Sequence, residues 1–374
     1  MRILFYSPVD LLHGGGCERW HCDITNSLVK QYGHEVEIVT GNLGEKRWNE
    51  NYLHTQLGGI PHIRIRYPIL FNSILPTFSA FFLLLKKFRD ADVVHFICGF
   101  IGQDLLVAGL KLITQKKVVV GHHAPIFHSS RLHNLYMQYV SRYVFKYLDV
   151  HQTLNSSDKE FLETRWGIKN VHFIPSGVRT EKFLKSKRKN HSGLMFISVG
   201  RYAWQKGIDL QLKAIEMFNR RMVKNSALFN FVGSGELGKI IDDYAKRHKN
   251  IANLGYVKYE NIPKLYSQND IFLLCSREEP FGLVLVEAWA SGLPVLATRT
   301  AGSMDMLVNG ENGWFIPQIT SKSISDALYK THLKHTQNPD FTHRMQEHCR
   351  QTGKMFSIDT TARKMHQTFF KFTT

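Results

Sequence analysis

Cysteine is scarce in this sequence, and its pattern argues against two classes of protein. The five cysteines, an odd number, form no Cys-x-x-Cys pair and no cluster with the ligand spacing of a zinc site. This usage is typical of reduced thiols in a cytosolic protein rather than of a disulfide scaffold or a zinc module. The opening residues 1–8 are too short for a signal peptide and predict a first strand instead.

Acidic residues are also few, since 31 Asp and Glu stand against 48 Lys and Arg, for a net charge of +17. Residues 60–148 carry 11 basic and 3 acidic side chains. This charge suits an anionic partner, which can be a nucleotide sugar, an anionic membrane surface or nucleic acid. Nucleic acid is the weakest of the three, because the basic residues are dispersed and no nucleic-acid-binding signature is present.

Long apolar runs are missing as well. The most apolar stretch, residues 69–89, has 17 residues before Lys86 and contains Pro76, which makes it marginal for a membrane span. Its apolar side chains recur at helical spacing, at Phe78, Phe81, Phe82, Leu85 and Phe88. A core helix is the first interpretation. The alternative is a helix at a membrane interface, with Lys86, Lys87 and Arg89 at the lipid headgroups.

What the sequence does have is a strand, loop, helix and strand in succession over residues 271–297. Residues 271–275 are an apolar run that predicts a buried strand, and residues 295–297 predict a second short strand. A turn containing Pro280 and Gly282 and then a helix-compatible segment lie between them. This is the crossover unit from which parallel sheets are built.

The turn of this unit carries residues suited to bind an anion and hydroxyl groups. Phe281, Gly282 and Leu283 lie where a helix has free N–H groups and the positive end of its dipole. Glu279 precedes the turn, and Glu287 follows eight residues later, about two helical turns along. The two carboxylates can accept hydrogen bonds from a polyhydroxylated ligand whose phosphate lies between them. The alternative is a solvated Glu279 and a Glu287 on the wet face of a helix.

Two further glycine loops follow predicted strands. The strand at residues 3–6 leads to three glycines at residues 14–16 and then to a helix, although the dinucleotide fingerprint Gly-x-Gly-x-x-Gly is absent. The strand at residues 194–199 leads to Arg201 and Lys206, which stand between glycines. Such a pair can clamp two phosphates, the arginine through its fork and the lysine as a point charge. Ordinary basic surface residues are the alternative.

In this order, the segments resemble the family-4 retaining glycosyltransferases. The resemblance rests on Glu279-x7-Glu287 with Phe-Gly-Leu inside it, on Gly-Arg-x4-Lys-Gly at residues 200–207, and on the glycine loop after the first strand. It covers about residues 1–317 and the last helix. It implies the GT-B fold, an α/β architecture of two facing Rossmann-like domains with parallel sheets and the donor in the cleft between them.

The resemblance implies that a set of residues binds the nucleotide-diphosphate-sugar donor. These donor-binding residues are Gly15, Gly16, Arg201, Lys206, Phe281, Gly282, Leu283 and Glu287. Within the set, the first two glycines approach the diphosphate, the two cations take its charge, and Glu287 holds the ribose. No metal and no other cofactor is implied, because the cations and helix N-termini can neutralise the leaving diphosphate.

Two catalytic residues are implied as well. Glu279 would hold the hydroxyls of the transferred sugar. Residues 118–121 predict a strand that ends in His122 and His123, and in the family a histidine at the end of this strand faces the reacting carbon of the donor. The pattern fits His123 slightly better than His122, and adjacent strand residues face opposite sides, so one of the two is expected to act.

The expected organisation is an acceptor-side domain at residues 1–178, a nucleotide-sugar-binding domain at 190–354 and a helix at 355–374 that crosses back to the first domain. The expected function is transfer of a sugar to a hydroxyl of a glycan or lipid-linked acceptor. The expected location is the cytoplasm, with the cytoplasmic face of a membrane as a candidate surface. A sugar-nucleotide epimerase, a phosphorylase of similar fold and a non-catalytic nucleotide-sugar-binding module remain alternatives.

Overall fold

The computed structural model describes residues 1–10, 16–42, 50, 52–68, 75–127, 130–186, 193–222 and 227–370. The chain divides into two compact units. The first comprises Met1–Gly177 together with the C-terminal segment that begins at Ile358, and the second comprises Val178–Ser357.

The first unit alternates strands and helices. Its strands are β1 (Arg2–Ser7), β2 (Glu35–Gly41), β3 (Tyr52–Leu57), β4 (Ile60–Ile65), β5 (Val93–Ile97), β6 (Lys117–His122), β7 (Val150–Thr153) and β8 (Val171–Phe173). Its helices before the unit boundary are α1 (Gly16–Tyr32), α2 (Phe78–Asp90), α3 (Gln103–Thr114), α4 (Arg131–Tyr136), α5 (Arg142–Tyr147) and α6 (Ser156–Thr164). A π-helical turn, Met137–Ser141, joins α4 to α5.

The second unit has the same alternation. Its strands are β9 (Leu194–Val199), β10 (Ala227–Val232), β11 (Ile251–Asn253), β12 (Ile271–Leu274), β13 (Val295–Thr298) and β14 (Gly313–Ile316). Its helices are α7 (Glu181–Leu184), α8 (Ile208–Arg221), α9 (Gly238–Arg247), α10 (Ile262–Ser267), α11 (Leu283–Ala290), α12 (Ala301–Met306), α13 (Ser321–Gln337), α14 (Phe341–Arg344) and α15 (Gln346–Met355). Two 3₁₀ turns, Trp204–Lys206 and Tyr259–Asn261, precede α8 and α10.

Each unit is built on one sheet. In the described residues the strand order is β3-β4-β2-β1-β5-β6-β7-β8 in the first unit and β11-β10-β9-β12-β13-β14 in the second. Neighbouring strands run parallel except β3 and β4, which pair antiparallel. The prediction of two parallel-sheet α/β domains is therefore confirmed, with one antiparallel strand added at an edge.

That edge hairpin was not predicted, for a physical reason. Strand β3 reads Tyr-Leu-His-Thr-Gln-Leu, and its side chains are exposed or partly exposed up to the buried Leu57. An edge strand with polar residues on both faces lacks the apolar alternation by which a strand is recognised in sequence.

The register of the second sheet places two loops side by side. Strand β9 pairs with β12 in parallel, with Phe196 opposite Ile271 and Ile197 opposite Phe272. Both strands are almost fully buried, which suits the apolar runs that predicted them. Because the carboxyl ends of adjacent parallel strands meet at one edge, the loops that follow β9 and β12 emerge together.

The chain returns to the first unit at its C-terminus. Helix α16 (Ile358–Met365) continues into a π-helical turn, His366–Phe370. Buried residues of both segments share a core cluster with Phe5 of the first sheet. Asp359 accepts a 2.8 Å hydrogen bond from the hydroxyl of Ser27 on α1, which fixes the start of the helix.

The unit boundaries differ in detail from the predicted ones. The second unit begins at Val178 rather than at residue 190. Phe183 on α7 is 1% exposed, and its ring lies 6.0 Å from that of Tyr266, so α7 belongs to the second core. The returning segment begins at Ile358 rather than at 355, because Val178 N–H donates to the carbonyl of Phe356 at 3.1 Å.

Helix α2 accounts for the most apolar stretch of the sequence. Ala80, Leu84 and Phe88 are buried in the core, as the core-helix interpretation requires, whereas Phe78 is 80% exposed. Residues 69–74 lie outside the described part of the chain. Among the described helices, none combines the length and hydropathy needed to cross a membrane.

Candidate functional site

The loop after β9 is fixed by its backbone. Tyr202 N–H donates to the carbonyl of Ser234 at 2.8 Å, and the Tyr202 side chain is 2% exposed. The side chain of Arg201 is exposed. A 3₁₀ turn then ends at Gly207, which has φ 62° and lies so close to β12 that an added Cβ would stand 2.1 Å from the carbonyl oxygen of Cys275. Only glycine meets both conditions, so the chain after Lys206 is pressed against the end of β12.

The loop after β12 is tied to the loop after β9. Arg277 donates two hydrogen bonds of 2.8 Å to the carboxylate of Asp209 and one of 2.6 Å to the carbonyl of Trp204. Its guanidinium also lies over the Trp204 ring, 4.4 Å from the centroid. The hydrogen bonds from Arg277 hold the pKa of Asp209 below its usual value. These contacts join the two loops into one platform.

Lys206 and Glu279 meet on this platform. The Lys206 ammonium donates to Oε2 of Glu279, and the Ser276 hydroxyl donates to the same oxygen at 3.4 Å. The Glu279 side chain is 11% exposed and that of Lys206 is 24% exposed. The interpretation of Glu279 as a solvated surface carboxylate is therefore wrong. The structure brings together a cation and a carboxylate that the sequence placed 73 positions apart.

Helix α11 begins beside this pair. Gly282 is its N-cap residue with φ 91°, and an added Cβ would stand 3.2 Å from Cγ of Glu279. Leu283 is the first helical residue, so its N–H belongs to the free N-terminal group of the helix. Phe281 is 4% exposed, with its ring 5.9 Å from that of Phe356. Phe281 can therefore contact a ligand through its backbone, because its side chain is buried.

Glu287 lies two turns further along α11. Its side chain is 2% exposed, and Tyr266 donates its hydroxyl hydrogen to Oε2 over 3.4 Å. The alternative that placed Glu287 on a wet helix face is wrong. A carboxylate buried at this depth needs hydrogen-bond donors, which a ligand hydroxyl can supply as well as the protein.

Two cavities differ in their relation to these residues. One of about 250 Å³ lies beside Arg201 and is also lined by Tyr202, Ala203, Gln205 and Glu236. A larger one of about 510 Å³ lies in the first unit, at the amino ends of β1 and β2, and none of the predicted site residues lines it. We place the candidate site at the smaller cavity, because it adjoins the platform.

The first unit holds the predicted histidine. His123 follows directly after β6, and its ring centroid lies 4.4 Å from that of Trp20 on α1. Nε2 of His123 and Nε1 of Trp20 are buried atoms for which the described residues provide no hydrogen-bond partner. Burial, followed by the nearby His95 and His21, holds the pKa of His123 well below its usual value, so its imidazole is neutral.

His122 faces the other side of the sheet. Its Nδ1 lies 3.3 Å from Sγ of Cys98, and its Nε2 lies 3.0 Å from Nδ1 of His151. His151 in turn lies 2.9 Å from the carbonyl of Phe145. Both ring nitrogens of His122 are thus engaged inside the core. This arrangement favours His123 for the role that the sequence left open between the two.

The glycine loop of the first unit is described only in part. Gly16 is the first residue of α1, whereas the sequence predicted it as the last residue of the loop before that helix. Gly15 lies outside the described residues.

Sequence reasoning missed several residues that build the platform. No spacing rule in the sequence pairs Arg277 with Trp204, because their contact depends on the register of β9 with β12. Glu236 was not among the predicted site residues. Its nearness to Arg201 follows from the adjacency of β9 and β10.

Known proteins match the chain along most of its length. Residues 14–182 match the family described as Glycosyltransferase Family 4, and residues 179–352 match Glycosyl transferases group 1. The uncharacterised glycosyltransferase MJ1607 of Methanocaldococcus jannaschii is 33% identical over 129 residues, which cover 33% of this chain and 32% of that protein. Mannosylfructose-phosphate synthase of Agrobacterium fabrum is 27% identical over 181 residues, which cover 43% of this chain and 40% of that enzyme. The matched segments thus span less than half of either relative.

Solved structures agree on the fold. Alr3699/HepE of Anabaena, determined in complex with UDP, has a TM-score of 0.76 and 16% identity, and the match covers 100% of both chains. At this identity the likeness is one of fold, and it confirms the predicted GT-B class. Because the two family matches together run from residue 14 to residue 352, the chain belongs to the glycosyltransferases of family 4, group 1.

Proposed function

We propose that the protein is a retaining hexosyltransferase that moves a sugar from a nucleotide-diphosphate donor to a hydroxyl of a glycan or lipid-linked acceptor. The observation that carries this proposal is the meeting of Lys206, Glu279 and the N-terminus of α11 at one edge of the second sheet. A cation, a carboxylate and free N–H groups at one point suit a ligand that joins a phosphate to a sugar.

The proposed binding of the donor diphosphate is based on the positive charge of nearby residues. Arg201 is exposed beside the smaller cavity, and Lys206 stands on the neighbouring turn. The N-terminus of α11 adds a third positive element, so three groups on these neighbouring loops can attract a diphosphate. UDP is the first nucleotide to test, because the Anabaena protein of similar fold was determined in complex with UDP.

The proposed chemistry is a front-side displacement. The acceptor hydroxyl oxygen forms the new bond to the anomeric carbon as the bond to the diphosphate oxygen breaks, and the hydroxyl proton passes to the departing diphosphate. Arg201, Lys206 and the helix N-terminus stabilise the charge that develops on that diphosphate, which is why the proposal needs no metal.

Two residues act at the sugar in this proposal. Glu279 accepts hydrogen bonds from the hydroxyls of the transferred sugar. His123 presents a neutral imidazole to the reacting centre, since burial holds its pKa well below the usual value.

A donor panel tests the function directly. Thermal-shift measurements with UDP-, GDP- and ADP-sugars should identify the donor by a rise in Tm, because a ligand that binds only the folded state stabilises it. Turnover of that donor should persist in EDTA, and proton NMR of the product should show the anomeric configuration of the donor. Release of an epimerised sugar, or cleavage that requires inorganic phosphate, would assign the protein to another reaction.

Two variants test the site. Arg201→Ala and Lys206→Ala should each lower kcat by on the order of 100-fold, since each removes a charge from the leaving group. Arg220→Ala is the matched control, because 75% of the Arg220 side chain on α8 is exposed and it pairs with Glu216 at the surface. Near-normal turnover in both site variants would remove them from the proposal.

A further inference from the structure

We propose that the outer surface of helices α2, α3, α4 and α5 docks the first unit onto an anionic membrane surface. We call this surface, with the π-helical turn that joins α4 to α5, the outer face, and its five most exposed apolar residues are Phe78, Leu112, Leu132, Tyr139 and Tyr143. The inference goes beyond the proposed function, because it concerns a surface distinct from the donor site.

The helices of the outer face form one continuous layer. Leu84 of α2, Leu106 of α3 and Phe145 of α5 are buried in one core cluster over the same side of the first sheet. Helix α2 packs against α3, and α3 packs against α5. The Tyr136 hydroxyl donates to the carboxylate of Asp104, which joins α4 to α3. The opposite sides of these helices therefore lie next to one another at the surface.

Exposure of large apolar side chains is concentrated on this layer. Among the described residues, 24 large hydrophobic side chains are exposed, and 10 of them lie on α2, α3, α4, α5 and the π-helical turn that joins the last two. Phe78 is 80% exposed, Tyr139 68% and Leu112 63%. Single exposed apolar residues are ordinary in folded proteins, whereas a concentration on adjoining helices marks an interaction surface.

The positive charge of the outer face favours an anionic partner. Residues 131–147 contain Arg131, Arg142 and Lys146 and no acidic residue. The guanidinium of Arg142 lies 4.9 Å from the centroid of the Tyr143 ring, and the ammonium of Lys146 lies 5.8 Å from it. The four helices contain two acidic residues: Asp104 of α3 is 3% exposed, and Asp90 is exposed at the end of α2, next to the exposed Arg89. The outer face thus combines aromatic and aliphatic side chains with positive charge.

This combination fits an anionic membrane better than a second copy of the chain. Two outer faces brought together would place like charges opposite one another. Anionic headgroups attract the basic residues within about 10 Å at moderate salt. Tyrosine suits the interface in particular, because its ring enters the apolar boundary while its hydroxyl stays in water. Leucine and phenylalanine side chains then add buried apolar area, so attachment depends on apolar insertion as well as on charge.

Vesicle flotation with the full chain tests the proposal. The probes are vesicles of phosphatidylcholine alone and of phosphatidylcholine with 30% phosphatidylglycerol, each at 50 and 500 mM salt. We expect the protein to float with the anionic vesicles at low salt and to remain partly bound at high salt. Tyr139→Ser with Tyr143→Ser should lower the vesicle partition coefficient by about tenfold or more at both salt concentrations. Arg131→Gln with Lys146→Gln should lower it mainly at low salt.

Matched variants separate the outer face from general surface effects. Ile240→Ser with Leu333→Ser removes two exposed apolar residues of the second unit, and Lys322→Gln with Lys330→Gln removes two exposed charges of α13. Both double variants should float like the wild type. All variants should keep the wild-type thermal shift with UDP, so a failed flotation stays distinct from a failure of the donor proposal.

Three results would overturn the inference. The first is a wild-type protein that stays unbound with anionic vesicles at low salt. The second is a tyrosine double variant that floats like the wild type. The third is a dimer, measured by light scattering, that the tyrosine variant converts to monomer while neither protein binds vesicles, because the outer face would then join two copies of this chain.

Discussion

At the scale of single residues, Glu287 offers a sharp test of donor binding. Its side chain is 2% exposed inside α11. Glu287→Gln keeps the size of the side chain but replaces a charged acceptor, so donor affinity should weaken by roughly 1.5–3 kcal/mol if the ribose hydroxyls bind here. Isothermal titration calorimetry with the donor chosen by the thermal-shift panel measures this.

Glu216→Gln is the control for that measurement. Glu216 lies on α8 and pairs with Arg220, with 29% of its side chain exposed, so its variant should bind donor like the wild type. If the folded Glu287→Gln protein also binds donor normally, Glu287 has only a structural part in α11.

Substitution of the two adjacent histidines should have different effects, one on turnover and one on stability. His123→Ala should lower kcat by more than it weakens donor binding, because its neutral imidazole is proposed to act at the reacting centre. His122→Ala should lower the free energy of unfolding instead, since it breaks the hydrogen bonds to Cys98 and His151. Turnover kinetics and urea denaturation of both variants provide the comparison, and the reverse ranking would exchange their roles.

Residue identity was predictable where a local pattern specifies it. The turn with Gly282 between Glu279 and Glu287 is a local pattern, whereas the roles of these glutamates and of a histidine at the end of β6 were implied by the family resemblance, which left His122 and His123 open. The contact of Arg277 with Trp204 was not predictable. The guanidinium lies 4.4 Å from the ring centroid, but such a contact between distant residues produces no regular spacing in the sequence. The ion pair of Lys206 with Glu279 also depends on tertiary register, although each residue was predicted separately.

At the scale of elements, the loop after β9 depends on one glycine. Gly207→Ala should destabilise the second unit and weaken donor binding, because its Cβ would meet the carbonyl of Cys275 at 2.1 Å and displace Lys206. Gly33→Ala is a matched control, since Gly33 has φ 63° and the described part of the chain places no atom within 4 Å of an added Cβ.

The pair separates steric contact from backbone conformation. Gly33→Ala should lower the free energy of unfolding by about 1–2 kcal/mol, the cost of a left-handed alanine. Gly207→Ala should lower it further and should alone change donor affinity. If the two variants have equal free energies of unfolding in urea and equal donor affinities by calorimetry, the backbone near Gly207 accommodates the added Cβ without loss of stability or binding.

Strands and helices were predictable where burial imposes a regular pattern of apolar residues on the sequence. The buried strands β9 and β12 read as apolar runs and were placed within one residue of their observed ends. The edge strand β3 has no such pattern, and the second unit was expected to start at residue 190 because the four-residue helix α7 before it leaves little pattern in the sequence. Its membership in the second unit comes from Phe183, a single buried ring.

At the scale of the whole molecule, the two units should differ in acid stability. His34, His62, His95 and His151 all lie in the first unit, and burial lowers the pKa of each to about 4. An unfolded histidine has a pKa near 6.5, so the stability from the neutral folded form is complete above that value. It is lost as pH falls from 6.5 towards 4, because the unfolded chain then binds more protons.

Hydrogen exchange resolved by peptide measures this difference. For the fully buried His95 and His151, each pH unit in the window should cost the first unit about 1.4 kcal/mol per histidine. Between pH 7 and pH 5, protection factors should therefore fall in β5 and β7 before they fall in β12 and β13. In the His95→Gln variant, the protection factors of the first unit should fall less over this pH range. An equal fall of the protection factors in both units would contradict the prediction.

The return of the C-terminal segment to the first unit has a consequence for synthesis of the chain. Ile358, Ala362, Met365 and Phe369 complete a core whose other members include Phe5 and Trp20. A ribosome therefore finishes and extrudes the whole second unit before the first can close its own interior. Until then the nascent chain carries an open apolar groove, so a message truncated after codon 357 should yield a product that chaperones retain, even though the second unit is complete.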